Sequence, residues 1–280
     1  MNTTFDINRF KNLARFVIVS EHRNFMRGLI GFTVAAAFFF GFNFYLKKDS
    51  LLFYPDSTEF IYGNLAGVAA FMGFMIMLVA GCSLFKNMLT KQQRIAFLSL
   101  PASNMEKYLV RLLWSNIGYF LLFVIGVCLA DALLALFTIS LGFGIPGSVV
   151  GNICKSLFCN GSSSIRIDGV MLPGYYLYVL MTTFALFIHS SWTILGTLFR
   201  KNAWLWTICI QVGLGTLWGV IVIDNPSLDI FFENIYNLIG IKPMFWIGIV
   251  TGLSLASLMY WGSYRLFCRM QVINNKIVNL

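Results

Sequence analysis

The sequence predicts an all-α, polytopic membrane protein with six transmembrane helices, an N-terminal amphipathic interfacial helix and both termini in the cytoplasm. Three observations carry this expectation. Of the 280 residues, 58% are hydrophobic and only 11% are charged, less than half the roughly 25% charged of a soluble domain. The mean hydropathy of +0.77 means more apolar side chain than a water-soluble monomer of this size hides. The apolar residues are also gathered into six stretches, each near the roughly 20 residues that carry a helix across a bilayer core.

At the start, Ile7, Phe10, Leu13, Ala14 and Val17 recur at helical spacing, with Asp6, Arg9, Lys11 and Arg15 between them. Over residues 1–24 this pattern suits a helix on the cytoplasmic membrane surface, or a helical lead-in to the first span. The interrupting charges exclude a signal peptide. Spans are expected near Phe25–Leu46, Tyr62–Phe85, Leu109–Phe137, Tyr175–Phe199, Ala203–Ile223 and Pro243–Leu266, with a cytoplasmic tail at 267–280, all in one transmembrane domain (1–280). Only Arg200, Lys201 and Asn202 separate the fourth span from the fifth, which makes the two a tight hairpin.

Basic residues set the orientation. Lys47, Lys48, Lys155, Arg166 and Lys242 fall on one side, and the other fifteen of the 20 Lys and Arg fall on the side of the termini. The positive-inside rule makes that side cytoplasmic. The net charge of +9 thus reflects membrane orientation. No basic stretch stands apart from the spans, so nucleic acid is not an expected partner.

Asp131 is the only acid inside a span, and His189 and Gln211 are further polar residues there. Counted from Leu112, Asp131 lies about 28 Å along its helix, at the outer edge of the core, and reads as interfacial. His189 and Gln211 read as hydrogen-bonding residues between helices. With His22 and His189 as its only histidines and no H-E-x-x-H, the chain has no expected metal site and no expected catalytic residue. Small residues recur four apart at Gly63/Gly67, Gly215/Gly219 and Gly248/Gly252/Ala256, which fits close packing within the chain or a dimer seam. In an oxidising outer compartment, Cys154 and Cys159 are candidates for a disulfide in the Gly- and Ser-rich loop from Thr138 to Gly174. A second outer segment, Leu228–Ile241, reads equally as a short interfacial helix and as a connecting loop.

The segment after the second span is the most informative. It carries Lys86, Lys91, Arg94, Lys107 and Arg111 against one acid, Glu106. Ser103 and Glu106 stand in capping-box spacing, and Pro101 stops the preceding helix. The third long helix therefore starts in the cytoplasm, behind a short basic and apolar helix whose Ile95, Phe97 and Leu98 are poorly suited to water.

The stretch FLSLPASNMEKYLVRLLW, Phe97 to Trp114, and the basic exit YRLFCRMQVIN, Tyr264 to Asn274, resemble the permease subunits of bacterial ABC exporters of the type-2 class. The resemblance implies a multi-pass protein of the bacterial inner membrane, paired with a second permease copy or paralogue, and an ATP-binding subunit as partner. It implies that Lys91, Gln92, Arg94, Ile95, Phe97 and Leu98 meet that subunit as a coupling helix, with Pro101, Ser103 and Glu106 in the bend behind it. Helix Phe5–Val19 is a second implied contact. G-x-x-x-x-G-K-[ST] is absent, so no cofactor is expected here, and ATP and Mg belong to the partner. A secondary carrier and a membrane anchor or assembly protein, neither with an ATPase partner, are the rival readings.

Overall fold

The computed structural model describes residues 5–53, 57–88, 90–145, 147–159, 164–167, 170–199, 202–225, 234 and 240–269. Its elements are α1 (Ile7–Phe53), α2 (Ser57–Cys82), α3 (Lys91–Leu98), α4 (Asn104–Ser140), α5 (Val149–Cys159), a hairpin of β1 (Ser164–Ile167) and β2 (Val170–Pro173), then α6 (Tyr175–Leu198), α7 (Ala203–Asp224) and α8 (Ile241–Cys268). Among the described residues, six helices are long and apolar enough to cross a membrane: α1, α2, α4, α6, α7 and α8. The all-α polytopic architecture is thus observed, with one small two-stranded sheet added.

The amphipathic start has no break from the first span. Both lie in α1, whose 47 residues give a contour of about 70 Å at 1.5 Å per residue, more than twice a bilayer core. Leu13 and Val17 are buried along it, while Lys11 and Arg15 are exposed. Helix α4 likewise extends past its span, because the Ser103 cap starts it at Asn104. Between α6 and α7 the chain turns at Asn202, which takes the left-handed conformation (φ 51°) that asparagine tolerates better than most residues. Arg200, Lys201, the tail beyond Arg269 and nearly all of Leu228–Ile241 lie outside the described residues.

The chain divides into two compact units. One comprises Lys11–Met77 and Leu113–Ser164. Its core is apolar and built on Ala36, Phe40, Phe44, Ile61, Tyr62 and Leu134. Here α5 is fastened by Asp131 of α4, whose carboxylate accepts from Ser148 Oγ at 2.6 Å and from the amides of Val149 and Val150 at 2.9 and 3.3 Å. The carboxylate thereby satisfies the first donors of α5 and complements its dipole. An ion pair of Lys155 with Glu59 joins α5 to α2.

The same helix overturns the expected disulfide. Cys154 and Cys159 are five residues apart on α5, which places their Cα atoms about 8.7 Å apart, beyond the reach of a disulfide. Cys154 is a free, exposed thiol.

The other unit comprises Met1–Phe10, Leu78–Leu112 and Ile165–Leu280. Its interior is mixed: Phe85, Phe97, Tyr108, Ile249 and Phe267 are buried beside Ser190, Ser191, Thr193, Thr197, Thr207 and Ser263. Helices α6 and α8 meet at small residues: a Cβ on Gly252 would come 2.7 Å from Thr183 Cγ2, and Ala256 is buried. Of the other repeats, Gly63, Gly67, Gly215 and Gly219 have nothing within 4 Å of such a Cβ among the described residues.

Candidate functional site

The site is the basic elbow between α2 and α4, all of it in the unit that holds α6 and α8. After a 3₁₀ turn at Lys86–Met88, Thr90 caps α3. Its Oγ1 accepts from the Gln93 amide at 3.3 Å, and its own amide donates to Gln93 Oε1 at 3.4 Å. This reciprocal cap starts a helix of only eight residues, a length that does not persist alone in water.

Beneath α3 lies a layer of buried charge. Arg94 is 1% exposed, and its Nε donates to the Met88 carbonyl at 3.4 Å. Lys107 is also 1% exposed and donates from Nζ to the Leu98 carbonyl at 2.7 Å. An ammonium at the last carbonyls of α3 suits the negative end of the helix dipole. The Arg111 guanidinium lies 4.7 Å from the Phe97 ring centroid, within range of a cation–π contact.

Glu106 organises the layer. Its carboxylate is fully buried. Oε2 accepts from the Ser103 amide at 2.8 Å, completing the capping box that the spacing predicts. Oε1 accepts from the Asp6 amide at 2.8 Å and from Arg9 Nη2 at 3.3 Å. One carboxylate therefore holds both the start of α4 and the start of α1.

What α3 turns outward is a broad stripe: Lys91, Gln92, Gln93, Ile95 and Ala96 are all exposed. Of these, Gln92, Ile95 and Ala96 share one helical face with Ser99, which is also exposed. Ile95 keeps 45% of its surface. Of the residues expected to meet a partner, Lys91, Gln92 and Ile95 are accessible and Leu98 is half-buried; in the bend, Pro101 is accessible and Ser103 half-buried. Arg94 and Phe97 are a correction, and Glu106 of the bend is buried with them. They face inward because backbone carbonyls, the Arg111 guanidinium and the α1 terminus occupy them.

The intramembrane polar residues take separate structural posts. Asp131 caps α5, as described. His189 Nδ1 on α6 lies 2.6 Å from the Tyr260 hydroxyl on α8, and Gln211 Nε2 on α7 donates to Ser191 Oγ on α6 at 2.6 Å. Both join helices, as their placement suggests. The sequence places Lys107 and Arg111 in this segment but does not foretell that they are buried, nor that Asp6 and Arg9 bond to Glu106. Nor does it foretell the contact of Tyr108, whose hydroxyl reaches Ser263 of α8 at 3.2 Å. The Thr90/Gln93 spacing was a readable sign of the α3 cap.

Among the described residues, no three His, Cys, Asp or Glu side chains are placed to hold a metal. No family model, no curated protein and no solved structure matches the chain.

Proposed function

We propose that this chain is the membrane-spanning permease of an ATP-driven exporter of the type-2 ABC class, working as two six-span halves and driven through α3 by a separate ATP-binding subunit. The observation that carries the reading is the elbow: a short capped helix, exposed on one stripe and fixed from behind by buried charge. Burying Arg94, Glu106 and Lys107 costs several kcal/mol of desolvation before their hydrogen bonds offset it. What the arrangement gains is fixed geometry. Force on Gln92, Ile95 or Ala96 passes through Lys107 to α4 and through Arg94 to the turn after α2. The permease halves then rock between inward- and outward-facing states. This chain contributes the path and no bond chemistry, and ATP and Mg sit on the partner.

The test is gentle purification of the tagged chain, asking whether a nucleotide-binding subunit accompanies it. Ile95→Asp places a charge on the outward stripe and leaves the buried layer intact. Retention of the subunit should fall by roughly tenfold, the effect of losing a modest interface anchor, while membrane insertion stays normal. Equal retention and equal ATPase rates in Ile95→Asp, or the lack of any nucleotide-binding companion, would overturn the proposal in favour of a carrier or anchor.

A further inference from the structure

His189 is 7% exposed near the middle of α6. One ring nitrogen is engaged by Tyr260. The other, Nε2, is buried and has no hydrogen-bond partner among the described residues. It looks onto Gly81 of α2, where a Cβ would sit 3.3 Å from Nε2, 3.2 Å from the His189 carbonyl oxygen and 2.9 Å from Thr193 Oγ1. Two turns along α6, a Cβ on Gly196 would come 2.7 Å from Cys82 Cα. The end of α2 and α6 therefore meet almost backbone to backbone, with a glycine on each side and the imidazole edge in the seam.

The charge state of the ring decides whether this contact is sustainable. A neutral imidazole with its proton on Nδ1 donates to Tyr260 and leaves only a lone pair at Nε2. A second proton would point a charged donor at glycine backbone with no acceptor, a far costlier burial. Among the described residues, no acceptor is hydrogen-bonded to Nε2. Tyr260 from α8 is the titratable group bonded to the ring, and Cys82, next to Gly81 in α2, is bonded to Thr207 Oγ1 of α7 at 3.4 Å. Gln211 of α7 is spent on Ser191, and Tyr108 of α4 on Ser263 and the Tyr260 carbonyl. Helices α6 and α8 contain no Asp or Glu. Glu106 of α4 is held at the elbow, Asp131 of α4 caps α5, Glu59 of α2 pairs with Lys155, and Asp224 is the last residue of α7; Lys107, Arg111, Lys242 and Arg265 are cations.

We propose that His189 makes the closure of α2 on α6 proton-sensitive: the packed seam accepts only the neutral ring, and a second ring proton parts it at Gly81 so that water reaches Nε2. The closed seam loses population as the medium acidifies through the range in which imidazoles titrate. This inference is independent of the motor partner and stands or falls without it.

Hydrogen–deuterium exchange on the full chain in lipid nanodiscs, at about pH 7.5 and about pH 5 and corrected for intrinsic exchange, reads the seam directly. The amides of 79–84 and 193–197 should lose protection by roughly tenfold on acidification in the wild type, and by less than about twofold in His189→Gln. Tyr260→Phe keeps the imidazole and should keep the pH effect. Gly81→Ala should be open at both pH values and show no further loss. Equal wild-type protection at both pH values overturns the proposal, as does a wild-type-sized loss in His189→Gln. Should His189→Gln not fold, an added acid-dependent loss in Gly81→Ala does the same.

Discussion

Glu106 carries three donors on one buried carboxylate, from Asp6, Arg9 and Ser103. Its removal therefore strands more than its own charge. In Glu106→Gln the volume is kept, but one carboxylate oxygen becomes an NH2 that faces a donor. The expected cost is about 2–3 kcal/mol, read as a lower melting temperature in detergent, with exchange protection lost first at the start of α1. Arg9→Ala should cost less, because the Arg9 side chain keeps 29% of its surface and water replaces part of what it gives. Asp131→Asn follows the same logic on the other unit. It weakens the acceptor beneath Val149 and Val150 by about 1 kcal/mol, so the amides of 149–152 should exchange faster while the rest of the chain is unchanged.

At the scale of the element, α3 separates docking from folding. Phe97→Asp puts a carboxylate into the layer under Arg111 and should abolish stable accumulation, whereas Ile95→Asp two residues earlier should leave expression intact. Thr90→Ala should cost about 1 kcal/mol, seen as faster exchange of the 92–95 amides. Hydropathy made the six spans legible, since lipid selects on apolar length alone, and the Ser103/Glu106 spacing located the start of α4. The inward face of α3 was not legible. Eight residues are too few for a periodic signal when Ile95, Phe97 and Leu98 are all apolar. Arg94 reads as a surface cation until the Met88 carbonyl, a backbone acceptor that composition does not encode, is found above it. The close tie between Asp6 and Glu106, residues 100 apart, leaves no mark on either local sequence.

For the whole molecule, orientation is the quantity most open to a direct check. Cys154 on α5 and Cys268 at the end of α8 are both free and exposed, and the charge distribution assigns them to opposite faces of the membrane. Chains keeping one or the other should respond oppositely to a membrane-impermeant maleimide on intact cells, with Cys154 labelled and Cys268 silent until the cells are opened. Labelling of Cys268 in intact cells would reverse the orientation and place the elbow outside. The Glu106 clamp also has a bearing on synthesis. A ribosome releases Asp6 and Arg9 long before it reaches Glu106, so the leading end of the chain waits with its docking partner unmade. The clamp can form only after α1 and α2, the two long helices between its partners, have been made.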